Sequence, residues 1–338
     1  MFGILRTILA INVILLHIFN IPTLGNYSVT FFFMLSGFLM TLVVNEKYGY
    51  SIKGFKVFWI NRILRLFPIY WIVGFITIIV LFIVPAYLPK HPAMFFPNSL
   101  SDWVFNVTMI FPNIVPHRIT PRLIPPSWAI TNELVYYLLI SLGISKNKRI
   151  TIFWFFASVA YYIFTYLFYD LATFRYSAIP AASLAFSIGA LMYWYKEKFN
   201  LFTKPKKIII VFLVTSFYIN GFFSSDIQKF LIKDISIYIN LILAFLLITI
   251  LFNLNTSKKI RKVDNYIGMY SYPFYISHYL VALIYIFSIG YGGINNSFKL
   301  TSAALPFYFL LLIIFTFLLI HFIDYPIEAY RSHIKKKA

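Results

Sequence analysis

No cysteine occurs among the 338 residues, and only 10 residues are acidic. The first absence excludes disulfides, thiolate metal sites and an acyl-cysteine intermediate. The second leaves few carboxylates for acid–base pairs. Charged residues of all kinds make up 12% of the chain, about half of the roughly 25% found in a soluble domain. No stretch is polar and long enough to form a second, soluble domain, and no inverted repeat of the kind used by many transporters is visible.

What fills the chain is apolar and basic. It is 61% hydrophobic and 21% aromatic, its mean hydropathy is +0.81, and apolar runs of about 18 or more residues recur. These features predict an all-α, polytopic membrane helical bundle. About ten transmembrane helices are expected, at 4–22, 28–45, 67–88, 127–144, 150–169, 178–195, 208–224, 235–253, 266–289 and 302–323. The first run carries a histidine and no small-residue cleavage site, so it reads as a retained span and not as a signal peptide.

A net charge of +19 would suggest nucleic acid in a soluble protein, but here the cations lie in short loops and no nucleic-acid-binding motif accompanies them. On the predicted topology 22 of the 29 Lys and Arg fall on one side and seven on the other. The positive-inside rule makes the richer side cytoplasmic, with both termini inside. Two connections stand out. Residues 46–66 mix cations with Phe55, Phe58, Trp59 and Ile60, as an interfacial amphipathic helix running into the third span would. Residues 89–126 form the longest loop, on the outer side, with eight prolines and an apolar segment, Trp103–Ile114, able to dip toward the membrane.

Ionisable groups at membrane depth are costly, which makes them functional candidates. Arg6 and His17 are eleven residues apart, about three helical turns and about 16 Å along an axis, so they share one face. The cation would sit at the inner mouth and the imidazole near the middle of the span. Arg62 and Arg65, three apart on the same side, share a helix face with each other. Three arginines at one mouth suit a polyanion such as a phosphate chain; topology signalling and lipid headgroup contact are the alternative. Glu133 is the one carboxylate well inside a span, either a packing hydrogen bond or a site residue. His278 follows Pro273 in a polar-aromatic string and serves either to satisfy a freed carbonyl or as a second acid–base group. Ser36 and Gly37 bring a small step into a bulky run, for close helix packing or for a thin ligand arm.

Taken in order, these segments resemble the acyltransferase-3 family of bacterial integral-membrane O-acyltransferases. Arg6-x10-His17 is similar to that family's first-helix signature. Phe32-Phe33-Met34-Leu35-Ser36-Gly37-Phe38 is similar to its Phe-Phe-x-x-Ser-Gly-Phe. Arg62-Ile63-Leu64-Arg65-Leu66-Phe67-Pro68-Ile69-Tyr70 resembles its double-arginine motif, and Ser127 to Tyr137, around Glu133, its glutamate motif. Ser271 to His278 resembles its Ser-Tyr-x-x-Tyr-x-x-His, and Asp324-Tyr325-Pro326-Ile327-Glu328 its terminal element. The sequence departs from the pattern before Arg6, where an acidic residue is usual and Met1 to Leu5 hold none, and at Asp324, where Glu is usual.

The resemblance implies a single membrane acyltransferase domain over 1–338 with a short basic cytoplasmic tail at 325–338. It implies a multi-pass enzyme of the bacterial inner membrane. The donor would be cytoplasmic acetyl-CoA, with no metal, and the acceptor a hydroxyl of an envelope polysaccharide or lipid-linked sugar of the O-antigen, exopolysaccharide or peptidoglycan type. Arg6, Arg62, Arg65, Ser36 and Gly37 would bind the donor, and His17, Glu133 and His278 would be catalytic. His17 would act as base with Glu133 orienting it or positioning the acceptor. Some members carry an extracytoplasmic esterase-like domain that is absent here. The membrane domain would then deliver the acyl group itself or pass it to a separate extracytoplasmic transferase. The competing expectation is a transporter or flippase for a lipid-linked sugar, with the same residues as a proton relay.

Overall fold

The computed structural model describes residues 2–21, 24–198, 207–289 and 297–337. Residue 22 of the first expected span and the inner-loop lysines Lys204 and Lys206 lie outside these. The described chain is helical throughout, with no strand among the described residues. In order the helices are α1 (Gly3–Phe19), α2 (Leu24–Val43), α3 (Ile52–Ile83), α4 (Leu100–Thr108), α5 (Ser127–Leu142), α6 (Lys148–Phe168) and α7 (Ile179–Trp194). They continue with α8 (Lys207–Phe222), α9 (Ser224–Phe230), α10 (Ile235–Asn253), α11 (Lys258–Gly268), α12 (Ser271–Ile289), α13 (Leu305–Leu319) and α14 (Tyr325–Lys337). Each of the ten expected ranges holds a helix over most of its length, the third ending at Ile83 rather than residue 88. Among the described residues, six helical stretches are long and apolar enough to cross a membrane, and α1, α7 and α8 are shorter apolar helices. The protein is a multi-pass all-α membrane bundle.

Helix α1 is the central element. Its Val13, Ile14 and Ile18 are wholly buried, and it packs against α2, α11 and α12. Lacking an acid of its own in the first turn, it takes one from α11. The Asp264 carboxylate accepts from the Gly3 and Ile4 backbone N–H groups, both at 3.0 Å, and so supplies the N-terminal cap and the negative charge that a helix start favours. The approach requires glycine, because a Cβ on Gly3 would stand 1.8 Å from the Asp264 carbonyl oxygen. One turn on, Thr7 donates to the Ile267 carbonyl at 2.8 Å. At the other end Asn20 adopts φ 56°, and the Lys299 ammonium donates to the carbonyls of His17 (2.7 Å) and Leu16 (3.4 Å). A cation there complements the helix dipole. His17 therefore occupies the last turn of α1, nearer the outer end than its expected place mid-span.

Helices α2 and α7 meet at two glycines. A Cβ on Gly37 would lie 2.2 Å from the Phe186 carbonyl oxygen, and one on Gly189 2.1 Å from that of Met34. Small residues let the backbones touch, the main source of helix association where lipid is as apolar as side chains. Of the two readings of Gly37, close helix packing is the one this contact supplies, and Gly37 borders neither of the arginine-lined cavities. A buried ion pair, Arg175 to Asp234 at 2.7 Å, ties the π-helical turn before α7 to the start of α10.

The expected interfacial segment and third span form one continuous helix, α3, which passes through Pro68. The long loop is ordered. Ser99 and Asp102 form a capping box at α4, and Asn106 bridges the Pro121 carbonyl (2.9 Å) and the Leu123 N–H (2.8 Å). The Arg122 guanidinium donates to the carbonyls of Pro125, His117 and Ile119. Leu100, Trp103, Val104 and Val107 are exposed along one face of α4, as on a helix lying in a membrane interface.

The two kinds of glycine give opposite predictions. Gly189→Ala should destabilise by roughly 1–3 kcal/mol through overpacking. Gly74→Ala, where a Cβ meets nothing within 4 Å, should be neutral or gain about 0.5–1 kcal/mol of helix stability. Thermal unfolding of both variants in one detergent checks the signs; equal effects would contradict the α2–α7 contact.

Candidate active site

Helix starts and ends gather the ionisable residues into two groups, one of which lines a cavity. The first turns of α1, the inner third of α3 and the middle of α5 bring Arg6, Arg62, Arg65 and Glu133 around a space that Ser36 of α2 and Tyr272 and Tyr275 of α12 also line. This neck is narrow, about 100 Å³. It shares Arg6, Arg62, Arg65 and Tyr272 with a wider mouth of about 660 Å³, bounded also by Asp264, Asp324 and Arg331. Expected donor residues from three separate helices thus meet at one place.

The arginines are short of partners. Among the described residues no group hydrogen-bonds or ion-pairs the guanidinium of Arg6 or Arg65. Arg62 reaches the Met40 sulfur at 3.5 Å, lies 5.7 Å from the Phe58 ring centre, and keeps its Nε buried without a partner. Glu133 is close enough to interact electrostatically with Arg6 and Arg62, but its Oε1 is engaged elsewhere. Ser36 donates to it at 2.5 Å, and so does the Tyr137 hydroxyl. Tyr137 lies four residues along the same helix face, a spacing from which the contact follows. Guanidinium groups left unpaired at a cavity wall mark a place for an anion with several acceptor oxygens.

The histidines form the second group. His17 Nδ1 and His278 Nε2 are 3.0 Å apart, and His278 Nδ1 is 2.8 Å from the Tyr275 carbonyl oxygen. A carbonyl only accepts, so with both rings neutral His278 carries its proton on Nδ1 and offers a bare Nε2. That nitrogen must accept from His17 Nδ1–H, which leaves the lone pair of His17 on Nε2. The chain of two hydrogen bonds fixes a single tautomer for each ring and orients His17 as a base, the part a carboxylate plays toward histidine in hydrolytic triads. His278 is fully buried, and Tyr308 donates to its carbonyl at 2.9 Å. Glu133, expected to approach His17 from the outer side, contacts Ser36 and Tyr137 at the neck instead; the partner of His17 is His278. Tyr275 stands between the groups, its ring lining the neck and its carbonyl holding the pair.

On the outer side Tyr279 stacks on His17 with ring centres 5.3 Å apart. His91 of the long loop meets Tyr279 at 4.7 Å and Phe298 at 5.4 Å. Its Nδ1 accepts from the Ala93 N–H at 3.1 Å, so the neutral ring keeps its proton on Nε2. None of Tyr279, His91 or Asp264 stands out in the sequence, because each gains its place through a neighbour remote along the chain or through a loop.

A family model described as an acyltransferase domain, Acyl_transf_3, matches residues 2–323. A relative from Bacillus subtilis (strain 168), named "Putative peptidoglycan O-acetyltransferase YrhL", is 38% identical over 77 residues, which is 22% of this chain and 12% of that protein. The match thus spans a small part of that relative. No solved structure matches the chain.

Burial, with Arg122 and Lys299 nearby, pushes His91 down from 6.5 to about 4. Between those values the unfolded chain binds a proton that the folded protein does not. The stability His91 contributes is therefore present above pH 6.5 and lost as the pH falls toward about 4. Melting curves across that range should show the wild type losing more than His91→Asn, which keeps an acceptor for Ala93; parallel losses would contradict a buried neutral His91.

Proposed function

Because the chain belongs to the acyltransferase family whose domain it matches along nearly its whole length, we propose that it is a membrane O-acyltransferase. On this reading it moves an acetyl group from cytoplasmic acetyl-CoA to a hydroxyl of a cell-envelope glycan across the bacterial inner membrane. The observation that carries this reading is the cavity itself. Three guanidinium groups without hydrogen-bonding carboxylates wall a wide mouth and a narrow neck, and the neck is lined in part by Tyr275, whose carbonyl orients the histidine pair. A bulky polyanionic head followed by a thin arm has that shape. The similarity to a protein named as a peptidoglycan O-acetyltransferase supports acetyl as the group and a glycan as the acceptor class.

The diphosphate of the donor would lie against Arg6, Arg62 and Arg65, and its arm along Ser36 and Glu133. Those side chains present a hydroxyl and a carboxylate to the arm's amides. The acyl end would pass the Phe32 and Tyr275 rings, whose centres are 6.4 Å apart, to meet an acceptor hydroxyl at His17. Nε2 of His17 takes the hydroxyl proton as the oxygen attacks the thioester carbon. The carbon–sulfur bond then breaks, and the imidazolium returns the proton to the leaving thiolate. His278 holds His17 in the productive tautomer throughout. No acyl-enzyme is required.

His17→Ala should lower acetyl transfer by about a hundredfold or more while the purified protein remains folded. The readout is label moved from radiolabelled acetyl-CoA to envelope glycan, with the modified glycan identified by mass spectrometry. Wild-type turnover in that variant would remove His17 from the mechanism, and glycan flipping without label transfer would favour the transporter reading. Arg62→Ala and Arg65→Ala should each weaken acetyl-CoA binding about tenfold in a thermal-shift titration; an unchanged double variant would return both to lipid and topology roles.

A further inference from the structure

We infer that the mouth cavity recognises the nucleotide end of the donor, with Arg331 holding the phosphate on its ribose. This rests on the acyl-CoA reading above and adds a residue and a specificity to it. Arg331 lies on α14, at the end that the sequence reading treats as a basic tail. It is 2% exposed and lines the mouth but not the neck. One of its terminal nitrogens pairs with Glu328 one turn earlier. Its Nε is buried with no hydrogen-bond partner among the described residues. A buried donor left unmet costs free energy, and Arg331 also borders the mouth, where a small side-chain shift would let its guanidinium donate to a phosphate.

The order of groups supports this placement. From the neck outward come Ser36 and Glu133, then Arg6, Arg62 and Arg65, which border both spaces, then Arg331, which borders the mouth alone. From its reactive end, acyl-CoA presents a thioester, a thin amide arm, a diphosphate, a 3′-phosphorylated ribose and an adenine. The two series register in one direction only, with the second phosphate site at Arg331. The mouth also holds Asn265 and Asp324. The Asp324 carboxylate would disfavour a bare polyphosphate chain, and it and the Asn265 amide can accept from ribose hydroxyls and the adenine amine. A phosphopantetheine arm carried on a protein would bring a single phosphate to three arginines and nothing to Arg331.

The test compares binding of CoA, 3′-dephospho-CoA and S-acetyl-4′-phosphopantetheine to the purified full chain by thermal shift and calorimetry. The wild type should bind CoA about tenfold or more tighter than 3′-dephospho-CoA. Arg331→Gln should lose that margin by weakening CoA alone. Arg331→Lys, which keeps the charge without the fork, should retain part of it and guards against a folding defect in the glutamine variant. Equal losses for both nucleotides, no loss, or wild-type binding of the phosphopantetheine thioester as tight as that of CoA would overturn the assignment while leaving the acyltransferase reading in place. A wild type that binds none of the three overturns that reading as well.

Discussion

The hydrogen bond between His17 and His278 is the interaction on which the rest of the structure depends. It joins residues 261 apart in sequence and has a fixed direction, because the far ring is tied to a carbonyl that can only accept. Everything that positions α1 against α12 serves it. Asp264 caps the start of α1, Thr7 ties its second turn to α11, Lys299 closes its end, and Tyr308 fixes the backbone of α12 at His278. A carbonyl in the third position orients the rings as a carboxylate would, without placing a full negative charge in a low-dielectric core where it would need pairing.

Scarcity of acid shapes the other half of the site. With 10 carboxylates against 29 cations, several arginines have nothing to pair with. Most acids near them are occupied: Asp264 by backbone N–H groups, Glu133 by two hydroxyls and Glu328 by Arg331, while Asp324 borders the mouth within electrostatic reach of Arg65. The arginine end is therefore electropositive by omission as much as by accumulation, and an incoming polyanion supplies acceptors that the chain does not. The histidine end, by contrast, is a cluster of aromatic rings around Tyr279.

Much of this was legible in the sequence, and the limits are instructive. The shared face of Arg6 and His17 follows from helix geometry alone, as does that of Arg62 and Arg65, and charge asymmetry correctly grouped the arginines at one end. The apolar runs predicted a helix at every expected span. Helix-to-helix pairing was not legible, because periodicity says which residues share a face and not which face of another helix they meet. So Glu133, expected either to orient His17 or to position the acceptor, contacts Ser36 and Tyr137, and His278 meets both the Tyr275 carbonyl and His17. Gly37 illustrates the same limit, since a small residue beside a site and a small residue at a helix crossing look alike in one dimension. The start of α1, which has no acid of its own, is capped by Asp264 from α11, a contact in space that no local pattern reveals.

The tautomers of the two histidines test the account most directly. Nitrogen-15 magnetic resonance on histidine-labelled protein in lipid, with His17→Gln and His278→Gln for assignment, reports which ring nitrogen carries each proton. The account predicts that neutral His17 and His278 are both protonated at Nδ1, with Nε2 of His17 unprotonated and facing the substrate path. A proton on Nε2 of His17 in the neutral pair would reverse the hydrogen-bond chain and contradict its role as the base.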